Sequence, residues 1–463
     1  MQNLYTEVST LDQRCSRTFD LPEELMMEHA AMSLAHTIRT RFPTGTTVLI
    51  VCGGGNNGAD GLALARLLEG SYEVSVYLAS DAASTLALQQ LNRLETLGLK
   101  PVRVLKNADV IVDSLFGSGL NRPLDVKNRS LITSLNTMSG TKIACDVPSG
   151  LYADGTCDES IFKADITITM GALKRGMFSD NAKEFVGEVI VADLGVHHHH
   201  YETPSSWHLL EESDSSLPHR TKTSGHKGTY GHLAVICGEH TGAAVLCGSA
   251  ALRFGAGLVS LISNENITIP YELMQCHSLR PTTSAMAIGM GLGTEFCDDE
   301  LTQLCNNSHP ILLDADIFAH SLFLDLLKRP DIVLTPHPKE FTTILSITKL
   351  CDITVDELQN NRFGYVELFC SKFPNVTLLL KGANVIIGRN GEFFINPHGS
   401  VVLAKGGSGD VLCGLIGALL AQGYDPLKSA IQGSLAHTLA ASKVSKNNYA
   451  MTPLDLIESI TTL

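Results

Sequence analysis

Residues 46–61 read Thr46-Thr-Val-Leu-Ile-Val-Cys-Gly-Gly-Gly-Asn-Asn-Gly-Ala-Asp-Gly61, and they decide the fold. The first seven form a short apolar run rich in β-branched residues, which predicts a strand buried on both faces. A glycine loop follows, and a helix is expected from about Gly58 to Glu69. Working outward, Glu73–Ala79 predicts the next strand and Ala83–Leu97 the next helix. Ala108–Asp113, Lys142–Asp146, Ala164–Met170 and Glu188–Asp193 read as further buried strands. Strands alternating with helices imply a parallel sheet covered on both faces, an α/β architecture.

Composition shifts between Val196 and Thr223. This stretch carries the run His197–His200, the only tryptophan (Trp207), two prolines and an acidic, serine-rich cluster. It reads as a linker, with the His run a solvated turn, and the boundary is placed near residue 212. The expected domains are 1–212 and 213–463. A second α/β unit then begins, with strands at Leu233–Cys237, Gly257–Ile262, Ala285–Ile288, Pro310–Leu313, Asp331–Leu334 and Val376–Leu380. Asn384–Gly388 and Glu392–Ile395 predict a hairpin around Asn390-Gly391. Helices are expected at Thr241–Phe254, from Gly409 to Gln422 and from Pro426 to Lys446.

At 463 residues the chain suits two domains or three. A formal charge of −14 argues against non-specific association with nucleic acid or an anionic membrane, though a local pocket can still hold an anionic nucleotide. No apolar run approaches the ~20 residues of a membrane span, and the N-terminus shows no signal peptide. A cytoplasmic protein is expected. The 12 cysteines are scattered without a Cys-x-x-Cys pair and read as free core thiols.

Several motifs stand where strands should end. Residues 402–414, Val402-Leu-Ala-Lys-Gly-Gly-Ser-Gly-Asp-Val-Leu-Cys-Gly414, turn bare backbone N–H groups toward one point at the start of a helix. That suits a transferring phosphoryl group, and Asp410 at the helix start can accept the proton of an attacking hydroxyl. In the first half, Gly53–Gly61 contains Gly-x-Gly-x-x-Gly, a weak dinucleotide signal. Asn56, Asn57 and Asp60 add polar groups to that turn. Asp113-Ser-Leu-Phe-Gly-Ser-Gly119 and Asp146-Val-Pro-Ser-Gly150 end two further strands. The C-terminal ends of parallel strands share one rim, where ligands bind. Asn56, Asn57, Asp113, Asp146 and Ser149 are therefore expected to converge, and their oxygens suit a hard cation and a hydroxylated ligand. In the second half, His226-Lys-Gly-Thr-Tyr-Gly231, Gly289-Met-Gly-Leu-Gly293, Thr335-Pro-His-Pro-Lys-Glu-Phe341 and Leu380-Lys-Gly-Ala-Asn384 describe a phosphate-handling rim together with Asp410. Each alone also reads as an ordinary turn or cap.

Residues 5–200 resemble the NAD(P)H-hydrate epimerase domain of the YjeF N-terminal type. The match rests on Leu25-Met-Met-Glu-His-Ala-Ala-Met-Ser-Leu-Ala35, the glycine loop, Asp113–Gly119 and Asp146–Gly150. The resemblance implies a Rossmann-like sheet with potassium held by Asn57, Asp113 and Ser149. It implies a hydrated dinucleotide held by Asn56, Asn57, Gly58, Ala59 and Asp60. Gly117, Ser118, Gly119, Leu120, Asn121, Arg122 and Pro123 would share that role, together with Asp146, the candidate acid/base for opening and reclosing the ring at C6. Three positions depart from the family: Ala59 for glycine, His29 for asparagine and Ala31 for glycine. If position 59 needs a positive φ, its alanine costs ~1 kcal/mol.

From about residue 222 onward the chain resembles the ADP- or ATP-dependent NAD(P)H-hydrate dehydratase domain, a ribokinase-like α/β sandwich. His226–Gly231 and Thr335-Pro-His-Pro with Glu340 carry that match. It implies that Lys381, Gly382, Ala383, Asn384, Val385 and Gly409 contact the nucleotide. Asp410 would activate the C6 hydroxyl, and Ala243, Gly293 and His337 would help hold the hydrate. Mg²⁺ and ADP (or ATP) are the implied cofactor and co-substrate, hydrated NADH or NADPH the substrate, and a homo-oligomer the expected state. Lys405 for threonine and Val385 for threonine are the departures here. The residues alone leave open a small-metabolite kinase, of a vitamin precursor or sugar, fused to a non-catalytic ligand-binding or scaffold domain, and a dinucleotide oxidoreductase resting on Gly53, Gly55 and Gly58.

Overall fold

The computed structural model describes residues 1–463. The chain divides into two compact units, Gln2–Trp207 and His208–Leu463, with Met1 grouped with the latter.

In the first unit the six expected strands form one parallel sheet. Its order is Glu73–Leu78, Thr47–Cys52, Val110–Ser114, Thr141–Cys145, Ile166–Met170 and Glu188–Ala192. Register is regular, with Val48 opposite both Val74 and Val110. Alternate residues of the strands feed two cores. Val48, Ile50, Val112 and Ile168 pack with Leu34, Ile38, Leu62 and Leu68 from the helices Glu23–Arg41 and Asn56–Leu68. Leu49, Val51, Ile111 and Ala144 pack with Leu131, Ile132 and Leu135 of the helix Val126–Thr137. Burial on both faces is why these strands are continuous apolar runs rather than alternating ones. The chain order reverses between Thr47–Cys52 and Val110–Ser114, which opens a crevice at the carboxyl ends of those strands.

Two short strands of this unit were not expected. Gln2–Tyr5 pairs in parallel with Leu173–Lys174, placing Tyr5 opposite Lys174. The helix after the glycine loop starts at Asn56, two residues earlier than the expected Gly58. Asn56 and Asn57 are thus its first turn rather than loop.

In the second unit seven strands run parallel in the order Met274–Cys276, Leu258–Ile262, His232–Ile236, Ala285–Ile288, Ile311–Leu313, Ile332–Leu334 and Thr377–Leu380. The hairpin Val385–Arg389 and Glu392–Asn396 continues it antiparallel, with Asn390 and Gly391 both at positive φ as its turn requires. One face packs Leu233, Val235, Val259 and Leu261 against the helices Thr241–Arg253, Ser408–Ala421 and Pro426–Lys443. The reversal point lies between His232–Ile236 and Ala285–Ile288. All 12 cysteines are free. No helix is long and apolar enough to cross a membrane.

Candidate active sites

The crevice of the first unit is a cavity of about 590 Å³. Its walls bring together Asn56, Asn57, Asp60, Asp146 and the loop residues Gly117–Arg122. Gly58, Ala59 and Pro123 do not line it. Gly58 is packed against Gly53, and a Cβ there would overlap the Gly53 carbonyl oxygen. Ala59 is fully buried on the sheet-facing side of the helix and does not have a positive φ, so its methyl carries no backbone strain. His29 packs on Gly195 rather than forming part of the cavity wall.

Asp146 is the most constrained group in the cavity. Its backbone is left-handed, with φ at +70°, an uncommon state for a residue with a side chain. Its Oδ2 accepts the Ser118 N–H at 2.8 Å, and its Oδ1 meets the Lys174 ammonium at 2.6 Å. Lys174 is buried and also donates to Thr169 Oγ1 at 2.9 Å and the Met170 carbonyl at 2.6 Å. Burial opposes the charge on Asp146, but the ammonium and these hydrogen bonds outweigh it and hold the carboxyl below its usual range. Asp60 goes the other way: burial and the charges of Asp146 and Asp12 push it well up. Asp12, raised chiefly by burial, accepts the Tyr201 hydroxyl at 2.7 Å.

Asp113 and Ser149 do not line the cavity, though the N–H of the wall residue Phe116 donates to the Ser149 hydroxyl oxygen at 3.0 Å. The Ser149 hydroxyl donates to Asp113 Oδ1 at 2.7 Å, and its N–H donates to Oδ2 at 2.8 Å. Asp113 is fully buried with no cationic partner, and burial lifts it to about 6 in spite of those bonds. The Asn57 amide nitrogen is buried without a hydrogen-bond partner. The buried Asp113 carboxylate, with no cation of its own, supplies hard oxygens of the kind a monovalent cation takes.

In the second unit the strand ends gather Asp410, Gly409, Lys381 and His337. Gly407 caps the helix Ser408–Ala421 at φ +92°, and a Cβ there would press on Pro453, so glycine is required twice over. A Cβ on Gly409 would lie 3.5 Å from Lys381 Nζ, which places that ammonium at the loop. Lys381 also pairs with the buried Asp314 at 2.8 Å. Burial and the Asp314 charge raise Asp410 to about 6, with Lys381 opposing. The buried Arg362 guanidinium donates to the Lys381 and Asn384 carbonyls at 3.1 and 3.2 Å and pins the turn between them. His437 reaches the Ser408 carbonyl at 2.9 Å from behind the loop, and burial lowers it to about 4, so it is a neutral brace at physiological pH.

His337 caps the helix Pro338–Ile347, with its N–H donating to Glu340 Oε2 at 2.7 Å. Burial first, then Lys381, lowers His337, whereas burial raises Glu340. Ala243 and the glycine turn Gly291–Gly293 meet at the sheet's reversal point, where a Cβ on Gly291 would come 3.2 Å from that of Ala243. The Gly293 N–H donates to Asp316 Oδ2 at 3.0 Å. Gly382 and Ala383 are exposed on the turn, but Val385 sends its side chain into the core, so only its backbone can face a ligand. Lys405 donates to the Tyr449 carbonyl at 2.9 Å, which ties its ammonium down outside the glycine loop.

Lys174, Asp12, Tyr201, Asp314 and His437 were missed by the sequence reading. Asp314 carried a usable signal, an acid directly after a buried strand, the same cue that singled out Asp113 and Asp146. Lys174 carried a weaker one, a lone cation in an apolar stretch. Asp12 and His437 lie on helices far away in sequence and carried none.

The family model described as YjeF-related protein N-terminus matches residues 23–176, and the one described as NAD(P)H-hydrate dehydratase matches 233–462. The chain is 42% identical to the bifunctional NAD(P)H-hydrate repair enzyme Nnr of Helicobacter pylori, covering 99% of each chain. It is 34% identical to that of Coxiella burnetii, covering 92% of this chain and 91% of the relative. Among solved structures, the ADP/ATP-dependent NAD(P)H-hydrate dehydratase of Bacillus subtilis, co-crystallized with ATP/Mg²⁺, is 28% identical over 53% of this chain and 92% of its own, with a TM-score of 0.47. On the two family models and the two full-length relatives, this chain belongs to the family of bifunctional NAD(P)H-hydrate repair enzymes.

Proposed function

We propose that the chain restores hydrated NADH and NADPH to the working cofactors. The first unit interconverts the R and S epimers at C6, and the second dehydrates the S epimer at the expense of a nucleotide. The observation that carries the reading is Asp410, a carboxyl raised to about 6, at a glycine-loop helix start with Lys381 alongside.

Hydroxide leaves a tetrahydropyridine ring poorly. Transfer of a phosphoryl group to the C6 oxygen turns it into a phosphate, and loss of that phosphate restores the ring double bond. Asp410 takes the hydroxyl proton as the oxygen attacks. Backbone N–H groups of Gly406–Gly409 and the Lys381 ammonium face the charge that develops in transfer. Gly382, Ala383, Asn384 and the Val385 backbone hold the nucleotide, while Ala243, Gly293 and His337 hold the hydrate. Bound with the nucleotide phosphates, Mg²⁺ would supply neutralising charge to their oxygens, a role that needs no dedicated protein cage. ADP is the assigned donor, yielding AMP and phosphate, with ATP as the competing choice.

In the first unit Asp146 handles the proton of the C6 hydroxyl as the ring opens and recloses. Asn56, Asn57, Asp60 and the loop Gly117–Arg122 hold the dinucleotide. Asn57, Asp113 and Ser149 would hold potassium, whose charge would compensate the buried Asp113 carboxylate. We place the enzyme in the reducing cytoplasm, in keeping with its free thiols, as a homo-oligomer whose mass light scattering would give. The direct test supplies purified S epimer, Mg²⁺ and either ADP or ATP to wild type and Asp410→Asn. NADH should form with one AMP per turnover from ADP in the wild type, and at a rate lower by about 10²–10⁴ in the variant. Equal rates would remove Asp410 from the chemistry.

A further inference from the structure

The epimerase cavity contains a second carboxyl group, Asp60, to which the mechanism above gives a binding role and no proton transfer. Asp60 lies at the seam of two adjoining cavities of about 590 and 280 Å³, both also lined by Asp12, Asn56 and Met170. Asp146 lines only the larger. The two carboxyls come from different elements, Asp60 from the helix Asn56–Leu68 and Asp146 from the end of the strand Thr141–Cys145.

Their surroundings divide the available partners unequally. Lys174 is the cation buried among these groups, and its three hydrogen bonds go to Asp146, Thr169 and the Met170 carbonyl. Asp12, from the helix Ser9–Phe19, is engaged by the Tyr201 hydroxyl. Asp60 is left with the Cys145 thiol at 3.9 Å as its only hydrogen-bond partner. A thiol is a weak donor and does little for a carboxylate. Burial, then Asp146 and Asp12, raise Asp60 while Lys174 opposes, and Asp146 stays low. Two carboxyls driven apart by their environments are equipped as an acid and a base.

We propose that Asp60 is the proton donor of the epimerisation, working opposite Asp146 as the acceptor. The inference rests on the epimerase reading above. In the ring-opening step Asp146 takes the C6 hydroxyl proton and the carbonyl forms at C6. The C6–N1 bond breaks, its electron pair goes to N1, and N1 takes the proton of Asp60. Rotation about C5–C6 turns the other face of the aldehyde toward N1. Closure reverses each transfer: N1 returns its proton to Asp60 as it attacks C6, and Asp146 returns a proton to the oxygen. No oxidant or reductant enters, and both carboxyls end as they began.

The test uses the full-length chain and purified R epimer, with no nucleotide present so that dehydration is silent. Appearance of S epimer is followed by chromatography in wild type, Asp60→Asn and Asp60→Glu. For Asp60→Asn, kcat should fall about 10²–10⁴-fold with KM changed less than about threefold, and Asp60→Glu should recover part of the rate. The acid must be protonated to act, so wild-type kcat should decline as pH rises through the raised value of Asp60. The residual rate of Asp60→Asn should lack that decline. Nucleotide-dependent dehydration of S epimer by the same preparation should match wild type, which shows the variant chain is intact. An Asp60→Asn rate within about threefold of wild type, a loss confined to KM, or an alkaline decline that persists would overturn the proposal. Failure of the wild type itself to exceed spontaneous interconversion would instead bring down the epimerase reading, and this proposal with it.

Discussion

Asp146 is held with φ at +70° and its carboxylate against a buried ammonium, two costs that the local packing sustains. Lys174→Met would leave that carboxylate buried and uncompensated. The variant should lose about 3–5 kcal/mol of stability in chemical denaturation near neutral pH. Because Lys174 holds Asp146 low, its contribution is present above the ordinary carboxylate range and is lost as pH falls through the lowered value. The stability difference between wild type and variant should therefore shrink in acid. At the other site Asp410 must be ionised to accept a proton, so dehydratase kcat should fall as pH drops through about 6. Burial is the larger cause of that raised value and Asp314 the next. Asp314→Asn removes the like charge, and the acid limb should move to lower pH; an unmoved limb would show that Asp314 does not influence Asp410. Asp146 and Asp410 were legible as acids at predicted strand ends or beside glycines. Lys174 was not, since its place depends on pairing opposite Tyr5, a contact 169 residues away in the chain. Asp314 was legible by the same rule as Asp113, an acid at the end of a buried strand.

Among elements, the strand–turn–helix at residues 47–68 does most to place the epimerase residues. Gly58 has to be glycine because the helix start approaches the Gly53 carbonyl too closely for a Cβ. Ala59, one residue on, sits in ordinary helix. Gly58→Ala should destabilise by roughly 1–3 kcal/mol through overpacking and reduce epimerase turnover by displacing Asn56 and Asn57. Ala59→Gly should cost only about 1 kcal/mol, the helix propensity difference, and leave turnover nearly unchanged. Thermal melting and R-to-S conversion of both variants check the contrast. Buried parallel strands were readable because both faces are apolar and each run ends in glycine or acid. Gln2–Tyr5 and Leu173–Lys174 escaped because segments of 4 and 2 residues carry too little periodicity to register. The helix start at Asn56 escaped because a glycine-rich, asparagine-rich sequence reads locally as loop, while packing against the sheet makes it helix.

At the scale of the whole chain, two units with their own sheets and cores each hold one site. Nothing in either site's chemistry requires a residue of the other. Asp146→Asn should abolish enzymatic epimerisation while sparing dehydration of S epimer, and Asp410→Asn should do the reverse. The division was legible as a composition change before a second run of strands. The catalytic pairing within each unit was not, because it is made by side chains that meet only after folding. The measurement that bears most directly on the repair reading is recovery of NADH absorbance from a mixed-epimer preparation of hydrated NADH with Mg²⁺ and ADP. Wild type should recover all of it in one continuous phase faster than spontaneous epimerisation, and Asp146→Asn should stall once the S form is consumed. A wild type that stalls at the same point would contradict the epimerase half, and no nucleotide-dependent recovery at all would contradict the account as a whole.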